Sequence, residues 1–148
     1  MAEILHRIAV KLPISEKIYQ ALTTNDGLTA WWTEDTSGVS NQVDGVIKFR
    51  FPGGGFDMRV KTLTENSLVE WEVIDGEKEW IGTTIRWELK AADEYTVVLF
   101  QHRDWQEQTE FMHHCSTKWA IFLMSLKSYI ETGKGSPSPN DVKIDDWN

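Results

Sequence analysis

Apolar and polar residues alternate along most of the first hundred positions. Ile4, His6, Ile8, Val10 and Leu12 fall on one side and Glu3, Arg7 and Lys11 on the other, the period-two pattern of a half-buried strand. Pro13 ends it. Ser15 reads as the N-cap of a short helix through about Leu22. Thr23-Thr24-Asn25-Asp26-Gly27 is turn-rich, and Leu28 to Trp32 form a second helical piece too short to stand alone. Alternation returns in Gly45–Phe51, with Ile47, Phe49 and Phe51 together, and again with Phe56, Met58 and Val60 opposing Asp57, Arg59 and Lys61. Val69, Trp71 and Val73 then oppose Glu70 and Glu72. A long strand from Trp80 to Ala91 carries Thr83, Ile85, Trp87 and Leu89 on one side, and Tyr95–His102 is the last. Turn residues separate these runs, so five strands follow one another as hairpins.

From about Gln108 to Thr132 the period lengthens. Phe111, Cys115, Trp119, Phe122, Leu126 and Tyr129 or Ile130 recur at steps of three and four, with no Pro or Gly among them. Gly133, Gly135, Pro137 and Pro139 end this helix. The order predicts an α+β chain, β-α-α-β5-α, in which a curved six-stranded antiparallel sheet wraps a long C-terminal helix. Residues 1–135 form one domain and 136–148 an extended, loosely held tail. Curvature leaves a gap between the middle of the sheet and the helix, a natural apolar pocket.

Composition narrows the function. A chain of 148 residues suits one core. The single Cys115 excludes an internal disulfide and multi-Cys metal sites and fits a reducing compartment. A net charge of −8 argues against nucleic acid or an anionic membrane as partner. The N-terminus lacks the pattern of a signal peptide, and the longest wholly apolar stretch, Trp119–Met124, is far below the ~20 residues of a spanning helix. The expected setting is cytoplasmic. Residues 65–94 hold nine acidic and three basic side chains. They read as a solvated sheet face or, alternatively, as a docking face for a basic protein partner. Eight Trp are the unusual feature.

Several segments resemble the SRPBCC superfamily, the helix-grip or START/Bet v-like fold, and within it the group of activator of heat-shock protein 90 ATPase homologues. They are Ala21-Leu22-Thr23-Thr24, Gly27-Leu28, Trp31-Trp32-Thr33, Met58-Arg59-Val60, Val69-Glu70-Trp71, Glu79-Trp80-Ile81-Gly82-Thr83, Thr96-Val97-Val98-Leu99 with His102, and the ending Leu126-Lys127-Ser128-Tyr129 to Glu131-Thr132-Gly133. The resemblance covers residues 4 to 135 and implies a cavity fold whose ligands range from lipids to polyketides. It also raises two alternatives, a cyclase- or hydrolase-type enzyme in the same cavity and a partner of the chaperone.

Inward parity nominates Trp32, Phe49, Met58, Trp71, Trp87, Phe100, His102 and Trp119 as pocket lining. Trp31 and Trp32 diverge by about 100° if helical, so one can plug the mouth while the other packs on the sheet. Trp80, Trp105 and Trp147 are assigned to a strand start, a loop and the tail. His102 and His6 are the acid–base candidates. The plainer reading of each is an edge or partly buried His with a satisfied partner. His113-His114-Cys115 lacks the four-residue ligand spacing of a helix, so no metal or cofactor is expected. Cys115 on the apolar stripe reads as a small hydrophobe. Gly53-Gly54-Gly55 is not followed by the Gly-Lys-Ser/Thr of a phosphate loop. Gly82 marks a bulge or close approach. The function expected is binding of a small hydrophobic or aromatic molecule, in a monomer or homodimer.

Overall fold

A computed structural model describes residues 1–11 and 15–148. Leu12 and Pro13, expected to finish the first strand, lie outside the described residues. The alternation of the N-terminal segment gives β1 (Ala2–Lys11). Two short helices follow, α1 (Ser15–Thr23) and α2 (Asn25–Trp31). Thr24 caps α2 by accepting from the Gly27 N–H at 3.0 Å. The helices meet so closely that a Cβ on Gly27 would lie 2.6 Å from Ala21 Cα. Trp31 secures the corner by donating its indole N–H to Ala21 O at 2.8 Å.

Six strands come next: β2 (Asp35–Gly38), β3 (Val46–Phe51), β4 (Gly54–Thr64), β5 (Leu68–Asp75), β6 (Thr84–Ala92) and β7 (Tyr95–Trp105). They join β1 in one antiparallel sheet of order β1-β7-β6-β5-β4-β3-β2. The sheet has seven strands where six were expected. The extra one, Asp35-Thr36-Ser37-Gly38, is a short polar edge that needs no apolar face, so no alternation announces it.

The long helix α3 (Glu110–Thr132) lies on the inner face, where its buried stripe of Met112, Cys115, Trp119, Phe122, Leu123 and Leu126 meets the sheet. At 1.5 Å per residue it is ~34 Å long and crosses the whole sheet. Thr109 caps its start and Gly133 its end. His6 on β1 donates to Ser116 O on α3 at 3.1 Å, tying the helix to the sheet edge. The fold is the α+β helix grip. No helix among the described residues is long and apolar enough to cross a membrane.

The outer face carries an ion-pair ladder. Arg59 pairs with Glu72 at 2.5 Å, Arg86 with Glu70 at 3.2 Å and Glu88 at 3.1 Å, and Arg103 with Glu70 at 3.3 Å. Glu70, Glu72 and Glu88, three of the nine acidic residues of 65–94, are therefore matched within the sheet.

The C-terminal segment, expected to be loosely held, is tied to the body. Ser138 forms a parallel bridge with Thr33: its N–H donates to Trp32 O at 2.8 Å and its carbonyl accepts from Glu34 at 3.0 Å. Ser125 on α3 accepts from Ser136 N and donates to Trp31 O, both at 2.7 Å. The physical reason is that these small polar residues supply the hydrogen bonds that Trp31 and Trp32 need as α2 ends.

Candidate functional site

Seven of the eight Trp collect on the inner face, and their packing leaves a cavity of about 250 Å³ at one end of α3. Trp32 and Trp119 form its back wall with ring centroids 5.0 Å apart. Trp80 extends the wall, stacked on Trp119 at 5.8 Å and on Phe56 at 3.8 Å. Phe51 and Phe122 close one side, and the β3–β4 turn at Pro52-Gly53 with Gly54-Gly55 at the start of β4 borders the mouth. Asp141, Trp147 and Asn148 from the C-terminal segment complete the rim.

The eight residues nominated by parity divide. Trp32 and Trp119 line the cavity. Phe49, Met58, Trp71, Trp87, Phe100 and His102 are almost wholly buried and are not part of its surface. They form its support: Trp71 lies parallel to Trp32 at 6.0 Å, Phe49 is 4.2 Å from Trp32, and Trp87 and Phe100 meet each other at 4.8 Å. Side chains of this size fill the middle of the sheet, so the free volume is displaced to the end.

His102 sits at the centre of a buried relay. Trp119 Nε1–H donates to His102 Nδ1 at 3.0 Å, His102 Nε2–H donates to Thr83 Oγ1 at 2.8 Å, and Thr83 Oγ1–H donates to Trp80 O at 2.5 Å. Each group has one partner in the right role only if the imidazole is neutral with its proton on Nε2. Burial pushes its pKa from 6.5 down to about 3. His102 is thus a neutral bracket between the sheet and α3. His6 is occupied at the opposite edge. Neither imidazole reaches the cavity.

Cys115 does line the cavity, and burial pushes its thiol up to about 12, an effect only partly offset by the Trp80 indole and reinforced by Glu79 and Glu77. A thiol so rarely ionised is not a nucleophile. Among the described residues no cluster of His, Cys, Asp and Glu has the geometry of a metal site.

The polar groups at the mouth are ones parity did not nominate. Lys118, on the inward side of α3, donates to Asp141 and to Val142 O at 2.8 Å, and its ammonium lies 5.4 Å from the Phe122 ring. Burial raises the Asp141 carboxyl, but hydrogen bonds from Lys118, its own backbone N–H and Lys143, with the Lys118 charge, outweigh it and leave its pKa below the ordinary value. One turn earlier, His114 meets Asp145 at 2.7 Å, a hydrogen bond that holds that carboxyl below its usual range. Trp147 lies 5.4 Å from His114 and 6.4 Å from Phe111. One signal for this cluster stands in the sequence. Lys118 follows Cys115 by three and precedes Phe122 by four, and a cation on an apolar stripe requires a buried anion.

Trp80 and Trp105 also depart from their assignments. Trp80 lies in the turn before β6 and faces inward because Gly82, at φ +88°, resets the phase of the chain. Nothing lies within 4 Å of where a Gly82 Cβ would stand, so conformation and not close approach demands glycine. Trp105 ends β7 and is buried after Asp104, at φ +74°, shifts the phase in the same way.

The family described as "Activator of Hsp90 ATPase homolog 1-like protein" matches residues 14–131. Among solved structures, the Aha1 dimer from Colwellia psychrerythraea is 50% identical, covers 91% of this chain and 100% of its own, and superposes with a TM-score of 0.84. SSP2350 from Staphylococcus saprophyticus is 18% identical over 90% of this chain and 95% of its own, with a TM-score of 0.74. CalU16 from Micromonospora echinospora is 16% identical over 93% of this chain and 77% of its own, with a TM-score of 0.72. The last two show likeness of fold alone. No functionally curated protein matches the chain.

Proposed function

The chain belongs to the activator of Hsp90 ATPase homolog 1-like family, a helix-grip group of SRPBCC type whose fold suits ligand binding, and from that premise we propose that it binds a small hydrophobic or aromatic molecule. The carrying observation is the free volume left against Trp32, Trp80 and Trp119 in an otherwise closely packed aromatic interior. Flat rings offer a flat guest offset-stacked and edge-on contacts, each worth ~0.5–1.5 kcal/mol beyond area burial. At about 250 Å³ the cavity falls just below the roughly 300–1,000 Å³ of ordinary ligand pockets. It suits one or two fused rings better than a lipid. The enzyme reading loses support because His102 and His6 are engaged elsewhere and Cys115 is held as a thiol. Titrating aromatic metabolites while following Trp fluorescence tests the proposal. Saturable quenching supports it, and no response to any aromatic compound refutes it.

The half-identical Colwellia protein favours a second reading, a homodimer that contacts a chaperone of the heat-shock protein 90 type. Glu77 and Glu79 are exposed and outside the ion-pair ladder, unlike Glu70 and Glu72. Together they give such contact an adjacent pair of exposed carboxylates beside the cavity. Light scattering after gel filtration tests the dimer, and a chaperone pull-down that survives joint Glu77→Lys and Glu79→Lys substitution rules out that face.

A further inference from the structure

The segment Asp141–Asn148 is held differently from the residues before it. Residues 136–138 are fastened by main-chain hydrogen bonds to Trp32, Glu34 and Ser125. Beyond Asn140, the main-chain bonds recorded within the segment, Ile144 N to Asn148 O and Asn148 N to Asp145 O, are internal to it. Among the described residues its ties to the rest of the chain are made by side chains: the Lys118–Asp141 ion pair, the His114–Asp145 hydrogen bond, Lys118 donating to Val142 O, Lys143 donating to Pro139 O at 3.1 Å, and the half-exposed Trp147 ring. A carboxylate and an indole on one short segment thus meet a buried ammonium and an aromatic rim at the mouth of a cavity.

Deepening the ligand-binding reading above, on which it rests, we propose that Asp141–Asn148 is a tethered stand-in for the guest, and that the guest is an aromatic monocarboxylate whose carboxylate replaces Asp141 on Lys118 and whose rings occupy the space against Trp32, Trp80 and Trp119. The chemistry follows from what the site already satisfies. Lys118 is a side chain only 11% exposed, and its charge must be matched by an anion wherever it stays buried. Asp141 now supplies that anion, and Lys143, 3.3 Å from its other oxygen, can keep it paired after it swings out because Lys143 is itself more than half exposed. A neutral aromatic gains the rings but cannot release the segment. A carboxylate does both. The segment therefore sets a threshold: the measured affinity is the intrinsic one reduced by the fraction of molecules whose mouth is open.

The test uses the full-length chain with 1-naphthoate and its neutral counterpart 1-naphthalenemethanol, both followed by calorimetry. Asp141→Asn weakens the hold on Lys118 and should tighten naphthoate about tenfold while leaving the alcohol within about twofold. Lys118→Gln should abolish the preference for naphthoate over the alcohol. Amide spectra of the unaltered chain supply a readout that needs no variant: saturating naphthoate should move the signals of Ile144–Asn148 to unstructured positions, and the alcohol should not. Naphthoate binding with those signals in place overturns the proposal, as does equal affinity for the two compounds. Binding of both compounds with no effect of Asp141→Asn overturns the stand-in but leaves the cavity reading intact. Failure of both compounds to bind any form overturns the cavity reading and the stand-in with it.

Discussion

The two ends of the aromatic column are held by different forces. In the interior, Trp71, Trp87, Phe49 and Phe100 pack ring against ring, and the relay from Trp119 through His102 and Thr83 to Trp80 leaves no titratable group charged. At the mouth, Lys118 and Asp141 form an ion pair, His114 hydrogen-bonds Asp145, and Trp147 is half exposed. The interior has one arrangement and defends it with burial. The mouth is held by a few polar pairs and one half-exposed ring, and the proposed exchange of segment for guest would take place there. The lesson is that ring packing and charge pairing are separated along one helix: Trp119 belongs to the first and its neighbour Lys118 to the second.

The comparison breaks first if the interior proves soft. Trp87→Ala removes a wholly buried indole and should destabilise the chain by ~3–5 kcal/mol in urea unfolding. A loss under about 1 kcal/mol would mean that the interior repacks freely. The relay comes next. His102→Leu leaves the buried Trp119 N–H without its acceptor, for an expected loss of ~1–3 kcal/mol.

The same residue sets a pH dependence. The folded pKa of His102, about 3, lies below its ordinary 6.5, so the unfolded chain takes up the proton first as pH falls. Stability from this group is fully present above 6.5 and declines below it by ~1.4 kcal/mol per pH unit until the folded pKa is reached. Urea unfolding of the parent and His102→Leu chains between pH 6.5 and 4.5 isolates this contribution as the difference between their slopes, the parent losing stability more steeply than the variant. The smallest effect belongs to the mouth. Asp145→Asn should leave the unfolding midpoint unchanged while shifting Trp147 emission to the red. A large change in midpoint would show that the mouth is part of the core.

The interior was the legible part. Ile85, Trp87, Phe100 and His102 were placed by strand parity alone, since one face of an antiparallel sheet must be apolar. Parity could say that His102 points inward. It could not say that Thr83 and Trp119 would claim both nitrogens, because that depends on the distance between sheet and helix. β2 escaped because a polar edge strand has no alternation to detect. Trp80 and Trp105 escaped because Gly82 and Asp104 reset the phase through positive φ just where they stand. The mouth escaped almost entirely: Asp141, Asp145 and Trp147 acquire partners only when the segment folds back on α3, a contact between positions far apart in the chain.

The most direct test of the cavity itself is the indole N–H spectrum of the eight Trp during titration with 1-naphthoate. The cavity-facing indoles of Trp32, Trp80, Trp119 and Trp147 should shift saturably, while those of Trp31, Trp71, Trp87 and Trp105 stay in place. No shift in any indole, or shifts spread evenly across all eight, would contradict the account.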